Sequence, residues 1–208
     1  MKKIKNGLLI SIEGIDGSGK SSLARALTKK YAEQGYHTVL TKEPGGTDLG
    51  KKIRKILLEK QEAVHPKAEF LLFAADRAQH SSQIILPSLK EGALVISDRM
   101  ADSSLVYQGY GRGLDVATIH LINTWAMNER APDIIFYLKL SSDEAYRRIA
   151  NRNEPLTSFE KEKAFIETLE HGFETIFAHR PEVITVDATQ PQKAILEEVF
   201  HHIEIKLT

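Results

Sequence analysis

The 208-residue sequence contains no cysteine, which excludes disulfides and thiolate metal sites. It also has no excess of either charge, because 28 lysines and arginines balance 28 aspartates and glutamates. Without a broad basic field, neither nucleic acid nor an acidic membrane surface is an expected partner. No apolar run approaches the length of a membrane span. A cysteine-free composition suits a reducing compartment, and we expect a cytoplasmic protein.

Short apolar runs alternate with helical patterns along the whole chain. The runs are continuous, as in strands buried on both faces, and they occupy residues 8–12, 36–41, 93–97, 134–138 and 183–186. The predicted helices occupy residues 20–34, 48–60, 66–90, 115–130, 141–151, 159–179 and 191–206. This alternation predicts an α/β fold in a single domain over residues 1–208. Its centre is a five-stranded parallel sheet with helices on both faces.

A glycine-rich segment joins the first predicted strand to the first predicted helix. Its spacing, G-x-x-x-x-G-K-S from Gly14 to Ser21, lets backbone amides surround an anion at a helix N-terminus. Lys20 is predicted to reach the outer phosphates of a nucleotide, and the Ser21 hydroxyl is predicted to bind Mg²⁺. The predicted phosphate-binding residues are Gly14, Ile15, Asp16, Gly17, Ser18, Gly19, Lys20, Ser21 and Ser22.

Two further strands end in residues that suit an anion site. The segment Lys42–Thr47, with sequence KEPGGT, follows the second strand, and Asp98-Arg99 follows the third. Each has a simpler explanation, since Pro-Gly-Gly forms plain turns and an Asp-Arg pair is common on surfaces. The carboxyl ends of parallel strands meet at one edge of the sheet, so an arginine there faces the same anion. Their convergence favours a binding site.

Together these motifs resemble the thymidylate kinase family of P-loop nucleoside monophosphate kinases. The matching segments, in the family's order, are Glu13–Ser21, Glu43–Thr47, Leu72–Arg77, Asp98-Arg99, Ser103-Ser104 and Tyr107–Gly109. The resemblance implies a P-loop kinase fold with a short lid at about residues 147–158. It also implies transfer of the γ-phosphoryl group of ATP to dTMP with Mg²⁺, giving dTDP and ADP for dTTP biosynthesis. The family further implies a homodimer.

The resemblance implies positioning and charge roles, because phosphoryl transfer needs little covalent chemistry from the protein. Lys20 would hold the β- and γ-phosphates, and Arg99 would bind the dTMP phosphate and steady the charge on the transferred group. Asp16 would accept a hydrogen bond from the sugar 3′-hydroxyl, with a loop cap or an indirect magnesium contact as alternatives. Asp98 would orient Mg²⁺ through water, with a salt bridge as the alternative.

A second set of residues is implied in recognition of the thymine and the sugar. Phe73 would stack on the base, and Arg77, on the same helix face, would donate to its O4. Without the other motifs, a core phenylalanine beside a surface arginine is the simpler interpretation. Tyr107 would lie under the sugar and crowd a 2′-hydroxyl. The full substrate-binding set is Asp16, Phe73, Arg77, Arg99, Ser103, Ser104, Tyr107 and Gln108.

The catalytic charge beyond Lys20 and Arg99 is predicted to come from the helix that leads into the lid. Some family members carry an arginine inside the phosphate loop, where this chain has Gly17, and others carry lid arginines. Arg148 and Arg152 share a helix face at i,i+4 spacing, and they are the predicted catalytic pair. Arg147 points elsewhere, toward solvent or the adenine.

Departures from the family's pattern keep other functions open. Lys42, Met100 and Lys139 differ from the family's usual residues, and Thr157-Ser158 stands where an Asp-Arg pair is expected. The alternatives are a related deoxynucleotide kinase and a non-catalytic nucleotide-binding protein with a degenerate lid. A GTPase switch is disfavoured, because no N-K-x-D motif follows a strand.

Overall fold

The computed structural model describes residues 1–58, 64–152, 159 and 162–207. At the centre of this part of the chain is a parallel sheet of five strands in the order β2-β3-β1-β4-β5. The strands are β1 Leu8–Glu13, β2 Thr38–Lys42, β3 Leu94–Asp98, β4 Ile134–Lys139 and β5 Val183–Asp187. The predicted α/β fold with a parallel sheet is confirmed.

The helices lie where the sequence pattern predicts them, with one addition. They are α1 Lys20–Glu33, α2 Asp48–Leu58, α3 Pro66–His80, α4 Leu86–Lys90, α5 Ala101–Ser104, α6 Val116–Ala126, α7 Ser142–Ala150, α8 Lys163–Phe177 and α9 Gln192–Leu207. A π-helical segment, Ser81–Ile85, joins α3 to α4. The addition is α5 with the π-helical segment Leu105–Tyr110 that follows it. Paired serines and Gly109 have low helix propensity, so the sequence does not indicate a helix there.

Helices cover both faces of the sheet because successive strand residues point in opposite directions. On one face, Ile10 of β1 belongs to a cluster with Leu27 of α1 and Val199 of α9. On the other face, Leu9 packs in a separate cluster that includes Leu89 of α4. Strands covered on both sides consist almost wholly of apolar residues, as the continuous runs in the sequence indicate. Among the described helices, none has the length and apolar content to cross a membrane.

The register of the central strands brings the predicted motifs to one edge. Asp98, the last residue of β3, pairs with Ile12 of β1 on one side and with Lys42 of β2 on the other. The segments that follow these strands are the phosphate loop, the Lys42–Thr47 turn and Arg99. The predicted meeting of these motifs at the carboxyl ends of the strands is what the fold produces.

Candidate active site

The loop between β1 and α1 has the geometry of an anion site. Gly14 has a φ of +143°, and a side-chain carbon there would lie 2.7 Å from the carbonyl oxygen of Leu138, so only glycine fits. Gly19, at a φ of +94°, precedes the first residue of α1, and no side chain caps this helix end. The free amides and the helix dipole are left to attract an anion.

Lys20 is held inside the loop. Its side chain is buried, and Nζ donates to the carbonyl oxygen of Ile15 at 2.7 Å and lies 3.9 Å from Oδ1 of Asp16. Burial, followed by the nearby charge of Arg99, lowers the pKa of Lys20 to about 8. The ammonium group is therefore mostly charged at neutral pH and is already placed in the anion site.

Ser21 and Asp98 meet beside the first turn of α1. The Ser21 hydroxyl donates to Oδ2 of Asp98, which ends β3. Asp98 makes this hydrogen bond rather than an ion pair with any residue that the structure describes. A hydroxyl and a carboxylate oxygen side by side are the hard donors that Mg²⁺ prefers, so the residues present fit that ion. Sequence reasoning identified both residues, and the structure brings them together.

Arg99 is the centre of a cluster of polar side chains next to the phosphate loop. Nη1 donates to the carbonyl oxygen of Gly14 at 2.9 Å and to Oγ of Ser103 at 3.0 Å. Nη2 donates to Oδ1 of Asp16 and, at 2.9 Å, to the hydroxyl of Tyr107. The Tyr107 hydroxyl in turn donates to Oδ2 of Asp16 at 3.0 Å. We call Asp16, Arg99, Ser103 and Tyr107 the Arg99 cluster.

The charges of the Arg99 cluster are fixed at neutral pH. Burial alone would raise the pKa of Asp16, but the charges of Arg99 and Lys20 outweigh it and lower that pKa to about 2. Burial raises the pKa of Tyr107 well above its usual value. The cluster therefore contains one carboxylate, one guanidinium and a neutral phenol. Asp16 faces both cations, Lys20 and Arg99.

Phe73 and Arg77 share a face of α3. The simpler interpretation, a core phenylalanine beside a surface arginine, is wrong about which of the two is buried. Phe73 is only partly buried at the edge of the core, whereas Arg77 is 1% exposed. The Arg77 guanidinium donates to Oε2 of Glu43 at 2.8 Å, to Oδ1 of Asn123 at 2.7 Å and to Oγ of Ser104 at 3.2 Å. Arg77 is thus an oriented interior cation, and its role at thymine O4 stays a prediction.

Glu43 links Arg77 to a buried histidine. Its second oxygen, Oε1, lies 2.9 Å from Nδ1 of His80, and Nε2 of His80 lies 2.6 Å from Oγ1 of Thr41. Burial opposes ionisation of Glu43, but the charge of Arg77 and the contact with His80 lower its pKa. Sequence reasoning quoted Glu43 in a motif without a role and missed His80. The available signal was a charged residue directly before Pro-Gly-Gly.

Gln108 and Ser104 lie deeper than the Arg99 cluster. Ser104 accepts from Arg77, while Nε2 of Gln108 donates to Oε1 of the buried Glu69 on α3 at 3.1 Å. Arg112 also donates to Oε1 of Glu69, at 3.3 Å. Ser103, by contrast, belongs to the Arg99 cluster. Ser104 contacts Arg77, and Gln108 contacts Glu69 on the same helix as Arg77.

A pocket of about 420 Å³ lies on the other side of the phosphate loop, against the chain that follows β5. Arg148 lines it: Nη1 donates to the carbonyl oxygen of Gly17 at 3.4 Å and Nη2 to that of Ala188 at 3.0 Å. Arg147 pairs with Glu144 in an exposed position. The structure thus places Arg148 at the wall of this pocket.

The predicted lid lies only partly within the described residues. Arg152 follows the end of α7, and Phe159 is buried near Tyr107, with ring centres 5.7 Å apart. Residues 153–158, which include Thr157-Ser158, lie outside the described residues. The catalytic role of Arg152 stays a prediction.

Comparison with known proteins gives a consistent result. A family model described as thymidylate kinase matches residues 12–199. The chain is 38% identical over 201 residues to the thymidylate kinase of Halothermothrix orenii, covering 95% of this chain and 97% of that protein. It is 41% identical over 207 residues to that of Prosthecochloris aestuarii, covering 94% and 92%. It is 39% identical over 210 residues to that of Nitratidesulfovibrio vulgaris, covering 97% and 98%. The chain belongs to the thymidylate kinase family.

Proposed function

We propose that the protein transfers the γ-phosphoryl group of ATP to dTMP with Mg²⁺ and releases dTDP and ADP. The observation that carries the proposal is the position of Asp16 between two cations, Lys20 in the phosphate loop and Arg99 after β3. Two anionic substrates that bind these cations meet end to end at one edge of the sheet. Such positioning, together with charge stabilisation, is most of what phosphoryl transfer asks of a protein.

The donor site is the phosphate loop, Gly14–Ser22. Its amides and Lys20 would hold the β- and γ-phosphates, while the 420 Å³ pocket has room for the adenosine. Arg148, whose Nη1 donates to the carbonyl oxygen of Gly17 in the loop, would act on the phosphates as the predicted catalytic residue. Ser21 and Asp98 would hold Mg²⁺, which neutralises charge on the phosphates when bound.

The acceptor site is built from the Arg99 cluster and the group around Arg77. Arg99 would bind the dTMP phosphate, Asp16 the 3′-hydroxyl, and Tyr107 the sugar face. Phe73 would stack on the thymine, with Arg77, Ser104 and Gln108 around the base. Because Arg77 is locked by three side-chain partners, its donors are preoriented, which lowers the entropic cost of recognition.

We also propose a cytoplasmic homodimer. Three neighbouring helices, α2, α3 and α6, carry exposed apolar side chains, and Trp125 of α6 is 78% exposed. The others are Leu49, Ile56, Leu71, Val116 and Leu121. Single exposed apolar residues are ordinary, but several of them on adjoining helices favour an interface.

A panel of nucleoside monophosphates, assayed by ADP release with ATP and Mg²⁺, tests the proposal. We expect dTMP to be the best substrate, and dUMP to be poorer because the missing methyl group contributes about 1–3 kcal/mol. A different preferred nucleotide would make the protein a related deoxynucleotide kinase. Nucleotide binding without ADP release for any monophosphate would indicate a non-catalytic binding protein.

A further inference from the structure

Glu13, the last residue of β1, is a fully buried carboxylate directly before the phosphate loop. Its oxygens accept three hydrogen bonds. Oε1 accepts from Oγ of Ser11 at 2.7 Å and from the backbone N–H of Met100 at 2.6 Å. Oε2 accepts from Oγ of Ser103 at 2.6 Å. Two of these three donors, Met100 and Ser103, follow Arg99 closely in the chain, so Glu13 holds the segment directly after this arginine.

The backbone of Arg99 needs such support. Its φ is +71°, a left-handed conformation that costs a non-glycine residue about 1–3 kcal/mol. The surrounding peptide groups are held at three points. The Arg99 N–H donates to Ile12 at 3.1 Å, its carbonyl oxygen accepts from Ser97 at 2.8 Å, and the next N–H, of Met100, donates to Glu13. Glu13 supplies the contact on the C-terminal side of the strained residue, through the N–H of Met100.

The side chain of Arg99 is linked to Glu13 as well. The Ser103 hydroxyl donates its proton to Oε2 of Glu13 and thereby turns its lone pairs toward Nη1 of Arg99, 3.0 Å away. The orientation of this hydroxyl depends on an acceptor at Glu13, because a hydroxyl has a single proton to donate. One buried carboxylate thus fixes both the backbone and one guanidinium donor of Arg99.

We propose that Glu13 is a positioning residue that holds Arg99 in the orientation required to bind the phosphate of the monophosphate substrate. This rests on the proposed function, in which Arg99 is the phosphate ligand. Glu13 itself does not touch the substrate, since it is enclosed beneath Met100 and Ser103.

The charge state of Glu13 matters for this role. Burial, followed by the charge of Asp102, raises the pKa of Glu13 to about 7. The charged groups that face it are Arg99 after β3, Asp102 on α5 and Lys20 on α1. The ionised form accepts from all three donors, whereas a proton on Oε2 competes with the one from Ser103. Alignment of Arg99 should therefore weaken as pH falls below about 7.

The test compares dTMP with thymidine, which lacks the phosphate. Glu13→Gln keeps the size of the side chain but places an N–H₂ donor against the Ser103 hydroxyl. We expect it to weaken dTMP binding by about 10- to 100-fold, as for a lost hydrogen bond to a charged group, and to leave thymidine binding within about twofold. Equal losses for both ligands, or no loss, would overturn the proposal. Should this variant fail to fold, Ser103→Ala carries the test, and an unchanged ratio of the two affinities there overturns it.

Asp133→Asn is a matched control at the opposite end of β1. Oδ2 of Asp133 accepts a hydrogen bond from the backbone N–H of Leu9 at 2.8 Å. This variant, like Glu13→Gln, therefore replaces a carboxylate that anchors the backbone. It should lower stability without changing the ratio of dTMP to thymidine affinity. The pH profile adds a second readout: wild-type kcat/KM for dTMP, divided by that of Glu13→Gln, should rise between about pH 6 and pH 8. A ratio independent of pH contradicts the role of the ionised carboxylate.

Arg99→Ala separates this inference from the proposed function. It should abolish the preference for dTMP over thymidine. If that preference survives, Arg99 is not the phosphate ligand and the proposed acceptor site is wrong. If Arg99→Ala loses the preference and Glu13→Gln keeps it, the acceptor site stands and only the positioning role of Glu13 fails.

Discussion

At the scale of single residues, the site depends on one arginine in a left-handed conformation. Arg99 donates to three side chains and one carbonyl oxygen, so its guanidinium is fixed before any substrate arrives. Preoriented donors lower the reorganisation cost of stabilising charge in a transition state. This makes Arg99 the residue whose loss should be felt most in turnover.

We expect Arg99→Ala to lower kcat/KM for dTMP by at least about 100-fold, which corresponds to about 3 kcal/mol of transition-state stabilisation. Steady-state kinetics with a coupled ADP assay measures this loss. Arg130→Ala is the control, because Arg130 forms its ion pair with Asp133 at the far end of the sheet. Near-normal turnover in Arg99→Ala would remove Arg99 from the mechanism.

The sequence reveals the residues of the phosphate loop and the strand ends better than the buried groups that support them. Lys20, Ser21 and Asp98 follow from loop spacing and strand ends, and they meet as predicted. Glu13 and His80 carry no comparable signal, because a buried carboxylate or histidine acquires its partners only from tertiary packing. The interpretation of Arg77 as a surface arginine is wrong for a related reason. Arg77 is buried because its guanidinium pairs with Glu43, which follows β2 and is distant from Arg77 in the sequence.

At the scale of elements, the phosphate loop and α7 constrain each other. Gly17 has a φ of +83°, and a side-chain carbon there would lie 3.0 Å from the carbonyl oxygen of Ala145 on α7. A side chain at this position, such as the arginine that some family members carry, would require α7 to shift by a few tenths of an ångström. Because residue 17 is a glycine, α7 can approach the loop this closely.

Gly17→Ala should raise the KM for ATP several-fold, since the loop and α7 must separate to admit the methyl group. Gly35→Ala is a matched control: its φ of +87° is equally unfavourable, but nothing lies within 4 Å of the added carbon. Both variants should lose about 1–2 kcal/mol of stability from the left-handed backbone alone. A normal KM for ATP in Gly17→Ala would show that α7 accommodates the added methyl group without disturbing the loop.

Arg152, just beyond the C-terminus of α7, tests the predicted lid chemistry. We expect Arg152→Ala to lower kcat more than it raises the KM for dTMP, because a group that acts only in the transition state does not assist ground-state binding. Parallel titrations of both substrates separate the two effects. A change confined to KM would make Arg152 a binding residue instead.

Element boundaries follow closely from the sequence, with an instructive exception. Continuous apolar runs locate all five strands to within two residues, and the signal is clearest for β1, β3 and β4, which are buried on both faces and consist mostly of apolar residues. The sequence does not predict a helix over Ala101–Tyr110, yet this stretch is helical and contributes Ser103, Ser104 and Tyr107 to the candidate site. Its helical form is imposed by packing against α3, α6 and α8, which the local sequence does not encode.

At the scale of the whole molecule, the apolar residues on α2, α3 and α6 bear on assembly. Trp125→Glu should convert a dimer into a monomer, because a charge in the centre of an apolar interface stays unpaired when the partner binds. Light scattering after size-exclusion chromatography measures the mass. Ile205→Glu is the control, since Ile205 is also exposed, at 60%, but lies on α9. A monomeric wild-type protein would contradict the proposed homodimer.

The carboxylate of Asp16, which Lys20 and Arg99 share, bears on how the two nucleotides would bind. In the structure this carboxylate pairs with Lys20 and Arg99, the two cations to which we assign the substrate phosphates. In the proposed function each nucleotide would displace it from one cation, so we expect binding to resemble ion exchange rather than capture by an unpaired charge. We propose that the displaced carboxylate then accepts the hydrogen bond of the sugar 3′-hydroxyl. Inorganic phosphate has no sugar hydroxyl to offer the displaced carboxylate, so we expect it to compete poorly for the same place.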